Sequence, residues 1–171
     1  SNGLDRYDGY ELKHYSTAPR QPYQFIESNY INDIDEDDNN YLWVASEAGI
    51  MSIDLLHENL NFYKEYSGKN NNVLYSPVQA LLVDDFNNLW VGKSDGLAYI
   101  ILNEERQIKD IRILKKDVDI KTIVKHGSDI WAGGDKCLFH FTPSGKQDYS
   151  NIPVITNLDT SQLIFNRLFS Y

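Results

Sequence analysis

The tryptophans recur at near-constant intervals: Trp43, Trp90 and Trp131 are separated by 47 and then 41 residues. A shift of 47 aligns residues 31–54 with 78–101 without a gap. Identities fall at Asp37/Asp84, Asp38/Asp85, Asn40/Asn87, Leu42/Leu89, Trp43/Trp90, Val44/Val91, Gly49/Gly96 and Ile53/Ile100. That is 8 of 24 positions, well above what unrelated segments share. Internal repeats of roughly 40–50 residues built from short strands are the period of β-propeller blades. The repeat therefore limits the fold more tightly than any single motif in the chain.

Each unit divides into four short strands. The first, innermost strand is Ile31–Glu36, Val78–Val83 or Ile120–Lys125. A polar turn follows, Asp37-Asp38-Asn39-Asn40 or Asp84-Asp85-Phe86-Asn87-Asn88, rich in residues that bond their own backbone and tolerate the left-handed region. The second strand holds Leu-Trp-Val at 42–44 and 89–91, and Ile-Trp-Ala at 130–132. A turn at Gly49 or Gly96 leads to a third strand, Ile50–Asp54 or Leu97–Leu102, and outer strands lie near Asn61–Tyr66 and Gln107–Leu114. Strands of this length, bounded by turn clusters, define an all-β chain, and its 13% aromatic content suits strands. The third unit departs from the pattern: Cys137 aligns with Gly96, while Gly133 and Gly134 lie just upstream. Either its turn is redrawn around the two glycines or the alignment slips.

The expected organisation is all-β, a partial propeller of about four blades' worth. Residues 1–15 end one blade, with Gly3 standing where Gly49 and Gly96 stand; 30–66, 77–114 and 119–150 are blades; 151–171 begins another or forms a tail. With this half unit at its start and Met51 its one methionine, the chain is expected to be a piece of a longer protein. A partial ring exposes strand edges, so self-association as a twofold dimer is expected. The alternative is a four-bladed closure in which residues 3–15 pair with Leu163–Phe169.

Charge narrows the partners. The net charge is −9, with 25 acidic and 16 basic side chains, and no basic stripe suits nucleic acid or an anionic membrane. The longest apolar runs are strand-length, so no direct membrane insertion is expected. The single Cys137 forms no internal disulfide and leaves the redox compartment unread.

Several residue groups invite chemistry. Gly92-Lys93-Ser94-Asp95-Gly96 matches the G-x-S-x-G nucleophile elbow, but the following Leu97–Ile101 forms a strand where the elbow needs a helix. Asp33, Asp35 and Asp37 have the spacing that opens a calcium loop, yet Asp38 and Val44 stand where glycine and glutamate are required. His14, His57, His126 and His140 lack metal-ligand spacing. Trp43 and Trp90 suit packing between blades, with the indole N–H bonded locally, better than stacking on a sugar. The expected catalytic, cofactor-binding and metal residues are therefore none, and the ligand-binding residues are undetermined.

The phrase Asn88-Leu89-Trp90-Val91-Gly92-x-x-x-Gly96-Leu97 resembles the two-component regulator propeller repeat. The opening Gly3-Leu4-Asp5-Arg6-Tyr7-Asp8-Gly9-Tyr10 is similar to the first-blade signature of hybrid two-component sensors of gut Bacteroidetes. The resemblance covers residues 3–15 and roughly 30–150. It implies a periplasmic sensor region of a parent histidine kinase anchored in the inner membrane, with kinase and DNA-binding modules outside this chain and, in many such receptors, an oligosaccharide ligand. Asp38-x-Asn40-x-x-Trp43 and Asp85-x-Asn87-x-x-Trp90 are also similar to the aspartate box of sialidases, which makes a glycan-active enzyme the alternative. The arginines that would clamp a substrate carboxylate, Arg6, Arg20, Arg106, Arg112 and Arg167, each stand in a different repeat context. A plain protein-interaction propeller is the remaining reading.

Overall fold

The computed structural model describes residues 3–17, 26–64, 66–74, 77–145 and 147–152. A two-stranded antiparallel pair opens the chain, β1 (Leu4–Tyr7) and β2 (Leu12–Tyr15). Three four-stranded antiparallel sheets follow. The first holds β3 (Ile31–Glu36), β4 (Tyr41–Ser46), β5 (Gly49–Asp54) and β6 (Leu60–Phe62). The second holds β7 (Ala80–Val83), β8 (Leu89–Lys93), β9 (Gly96–Leu102) and β10 (Ile108–Lys116). The third holds β11 (Thr122–His126), β12 (Asp129–Gly134), β13 (Cys137–Gly145) and β14 (Asp148–Ile152). In each sheet the strands pair in chain order, the up-and-down meander of a propeller blade. The outer strand placed at Asn61–Tyr66 is shorter than expected and ends at Phe62. Tyr63, whose N–H bonds the Ile50 carbonyl at 3.2 Å, lays its ring 5.0 Å from Trp43.

The core lies between sheets rather than within one body. Period-2 alternation sends successive side chains of a strand to opposite neighbours. On β9, Ala98, Ile100 and Leu102 pack towards the first sheet, while Leu97, Tyr99 and Ile101 pack towards the third. Every residue of β8 and β9 is buried because the second sheet is covered on both faces. A third cluster joins the opening pair to the first sheet through Tyr15, Val44, Met51 and Ile53. Trp43 and Trp90, each 0% exposed, occupy the two successive inter-sheet layers.

The register resolves the third unit. Cys137 pairs with Gly134 as Gly96 pairs with Lys93 and Gly49 with Ser46, so the alignment does not slip. Gly49 has φ +111, and a Cβ there would lie 2.5 Å from the Leu74 carbonyl oxygen; one on Gly96 would lie 2.5 Å from that of Lys115. Cys137 is accommodated with its Sγ reaching the Asp119 carbonyl oxygen at 3.5 Å. The close approach moves to Gly134, where a Cβ would fall 1.7 Å from the Asp119 carbonyl oxygen. The expected further blade at 151–171, and the closure through Leu163–Phe169, lie outside the described residues beyond Ile152.

Candidate functional site

The meander gives each blade two ends. One face carries the turns between first and second strands and between third and fourth. The other carries the hairpins between second and third strands and the connections to the next blade.

On the first face the polar turns are locked around aspartate. Asp37 Oδ1 accepts the Asn39 and Tyr41 N–H groups, and Oδ2 accepts the Trp43 indole N–H at 3.2 Å. Asp84 repeats this with Phe86, Asn88 and the Trp90 indole at 3.3 Å. Asn40 and Asn87, at φ 63 and 57, close the turns in the left-handed region that asparagine tolerates. The indole N–H is thus bonded locally, as expected. The carboxylate that binds it is Asp37 or Asp84, not the Asp38 or Asp85 of the box-like spacing. Asp38 and Asp85 are exposed, and Asp85 pairs with Lys125 at 2.5 Å.

Each buried aspartate also takes a donor from the following blade. Arg106, in the turn between β9 and β10, places Nε 2.7 Å from Asp37 Oδ2, an ion pair set by distance rather than an aligned hydrogen bond. Its guanidinium lies 5.7 Å from the Tyr41 ring centre. Tyr149 of β14 donates to Asp84 Oδ2 at 3.1 Å, beside Tyr99 at 2.8 Å. Burial first, and the Asp84 charge second, push both tyrosine hydroxyls well above the ordinary phenol range.

Asp33 and Asp35 do not open a calcium loop. Their Oδ2 atoms accept the Leu81 N–H at 2.9 Å and the Val83 N–H at 2.7 Å, capping the free edge of the next innermost strand. Among the described residues no cluster of three or more acidic, histidine or cysteine side chains is placed to hold a metal ion. His14 faces Asp5, His57 faces Asp54, His140 faces Asp129, and His126 is exposed. Ser94 sits exposed in the two-residue hairpin turn joining β8 to β9, a strand–turn–strand setting. Of the arginines, Arg6 lies 3.6 Å from Glu58, Arg106 meets Asp37, and Arg112 meets Asp110 and Asp148, so these three do not converge; Arg20 and Arg167 lie outside the described residues. Burial raises the Cys137 thiol above its usual range, away from the reactive thiolate.

Two clefts open on the first face and share Arg106. One, of about 630 Å³, is lined by Asn39, Phe86, Asn87, Asn103, Lys109 and Gln147 among others. The second, of about 360 Å³, is bordered by Tyr41, Asn59, Asn61, Phe62, Tyr63 and Gln107 among others. Sequence reasoning missed both, because their residues come from turns of different blades and a repeat does not show which turns of neighbouring blades face one another.

No protein-family model matches the sequence, and no curated protein matches it. Solved structures do. The chain is similar to the extracellular domain of the hybrid two-component system protein BT4673 from B. thetaiotaomicron, with 18% identity and TM-score 0.64 over 93% of this chain and 21% of that one. It is similar to the extracellular domain of the B. thetaiotaomicron hybrid two-component system protein BT3049, with 18% identity and TM-score 0.52 over 87% of this chain and 27% of that one. Virginiamycin B lyase from Staphylococcus aureus matches at 14% identity and TM-score 0.56, over 91% and 48%. The chain spans from about a fifth to about half the length of these structures. No helix among the described residues is long and apolar enough to cross a membrane. The chain thus carries the four-stranded antiparallel blades of a β-propeller, in a fold shared with extracellular domains of the hybrid two-component systems that its repeat phrase resembles.

Proposed function

We propose that this chain is part of the periplasmic sensor propeller of a hybrid two-component receptor and that the sensor responds to glycans. The observation that carries the glycan reading is the 630 Å³ cleft. Side-chain amides from Asn39 and Gln147, the Phe86 ring and the Arg106 guanidinium meet there from four turns. Planar amides offer a donor and an acceptor side by side, which matches neighbouring sugar hydroxyls, and an aromatic ring offers an apolar platform for a sugar face. The Arg106 charge is already balanced by Asp37, which favours a neutral polyol over an anion in this cleft. Support for sensing comes from the shared fold and from the repeat phrase. The described polar clusters cap strands and lock turns, so the reading is a binding scaffold without turnover. Calorimetric titration of the purified protein with a panel of neutral oligosaccharides tests it. Binding weakened by Phe86→Ala and Asn39→Ala is expected; no binding at millimolar concentrations refutes the glycan reading for this segment.

A protein-interaction role receives a specific observation as well. Tyr7, Tyr10 and Leu12 at one end are 70%, 100% and 65% exposed. Val124 and Ile152 at the other end are exposed, and Trp131 there is only half-buried. These terminal surfaces are the seats through which the isolated chain would self-associate as a twofold dimer.

A further inference from the structure

On the opposite face the second hairpin contains a lysine that the fold does not require. Lys93 pairs with Gly96 at the β8–β9 turn, where Ser46 and Gly134 stand in the other two blades. Ser46 serves its own hairpin by bonding the Gly49 carbonyl and the Ala48 N–H, and Gly134 is a tight-packing glycine. Lys93 makes no hydrogen bond to the turn backbone of the kind Ser46 makes, yet it is only 4% exposed. Its one carboxylate partner among the described residues is Asp95 at 3.4 Å, a side chain 66% exposed. Burying an ammonium against so loose a partner is costly.

Lys93 lines a cavity of about 280 Å³ between the first and second blades. Val73, Ala98 and Ile113 give it an apolar floor, and Asn70, Asn72 and Lys116 stand on its rim. Asn70 is fixed by a bond from its amide nitrogen to the Ile111 carbonyl at 2.8 Å. Lys115 and Asp117 also line the cavity, but the Lys115 ammonium lies 4.7 Å from the Phe139 ring centre in the third blade. An apolar floor with a few convergent polar groups is the usual form of a small-ligand site.

We propose that this cavity binds a small carboxylate-bearing ligand, with Lys93 as its cation. A monoanion needs one buried ammonium, and the described lining holds no arginine fork of the kind that recognises a phosphate bidentately. The volume limits the ligand to about one sugar ring or a short organic acid. Asp95, largely in solvent, is free to give way to the incoming carboxylate. This site lies on the face opposite the amide-lined cleft and does not depend on the glycan reading.

The test is calorimetry and amide NMR on the 171-residue protein with galacturonate, propionate, galactose and inorganic phosphate. Galacturonate or propionate should bind and shift the Gly96, Ala98 and Lys116 amides, with galactose and phosphate weaker. Preference for galacturonate assigns the acid-sugar source, and preference for propionate assigns a free organic acid. Lys93→Met, which keeps the stem and removes the charge, should weaken binding by about tenfold or more and leave neutral-oligosaccharide binding unchanged. Should that variant misfold, the wild-type shift map and the milder Lys116→Ala carry the test. Absence of carboxylate binding, shifts elsewhere, tighter binding of phosphate, or undiminished affinity in folded Lys93→Met would overturn the proposal.

Discussion

Replacing Asp84 by alanine removes the acceptor for five donors at once: the Phe86 and Asn88 N–H groups, the Trp90 indole, and the Tyr99 and Tyr149 hydroxyls. Asp84 is 3% exposed, and Trp90 and Tyr99 are 0% and 2% exposed, so water has little access to the donors left behind. A buried donor without a partner costs about 1–3 kcal/mol. The five do not add, because the tyrosine hydroxyls can rotate and half-buried Tyr149 can reach solvent. The expected loss is about 3–5 kcal/mol, which is large for a single substitution. Set against a typical total of roughly 5–15 kcal/mol, that is a substantial share of stability.

Urea unfolding followed by tryptophan fluorescence measures the effect. Asp85→Ala, one residue away, is the control. Asp85 is exposed and its ion pair with Lys125 joins two partly solvated groups, so about 1 kcal/mol or less is expected. Asp84→Asn should fall between the two, since it keeps an acceptor for the turn but sets an amide N–H₂ against the indole. Equal losses at 84 and 85, or a loss below about 1 kcal/mol for Asp84→Ala, would refute the assignment of the clamp.

Tyr99 gives a pH prediction. Its folded-state pKa lies above the unfolded value of roughly 10, so above that pH the native state holds more protons than the unfolded one and stability falls as pH rises. Stability should be unaffected by Tyr99 below about pH 10 and decline by about 1.4 kcal/mol per pH unit above it; ultraviolet titration showing Tyr99 ionised in the folded protein near pH 10 would contradict this. Asp37→Ala leaves the Arg106 charge buried without its partner, and a loss of about 3–5 kcal/mol is expected by chemical denaturation, partly recovered in the double variant with Arg106→Met. Purified protein should hydrolyse no glycoside, ester or peptide substrate, and reproducible hydrolysis abolished by Ser94→Ala would revive the elbow. Light scattering coupled to gel filtration should give twice the 19.8 kDa chain mass; a monomer at high concentration would remove the dimer.

The strands, the hairpin at Ser94 and the burial of Trp43 and Trp90 were legible because each recurs at the same offset in two units. A gapless repeat transfers the environment of one position to the other. The inter-blade contacts were not legible, since a repeat aligns equivalent residues and says nothing of which residue of the next unit faces them. Arg106 and Tyr149 each bring a cationic or hydroxyl group of the following blade to Asp37 and Asp84, one from a turn and one from a strand, as different residue types. Adjacent Asp37 and Asp38 are both matched by the repeat, and only the fold shows which one turns inward to the indole. For Lys93 a signal was present in its departure from the pattern, a lysine where the other hairpins place serine and glycine.

The third blade shows what the aspartate clamp contributes by lacking it. Its first turn is cut to Gly127-Ser128, and Lys125 stands six residues before Trp131, where the other blades place aspartate. Trp131 keeps its register, opposite His140 as Trp90 is opposite Tyr99. It is half-buried, and its ring stacks on His140 at 4.0 Å and 6°. The His140 ring is held by Asp129 at 2.8 Å, a bond that lowers the Asp129 carboxyl below its usual range. A tryptophan on this strand therefore meets a polar partner in every blade, but only those pressed between two sheets carry the buried carboxylate. The clamp belongs to the joint between blades: the aspartate fixes the tryptophan of its own sheet while a donor from the following sheet ties the two together. In the third blade, with Lys125 in place of that aspartate, half-buried His140 is the polar partner of Trp131.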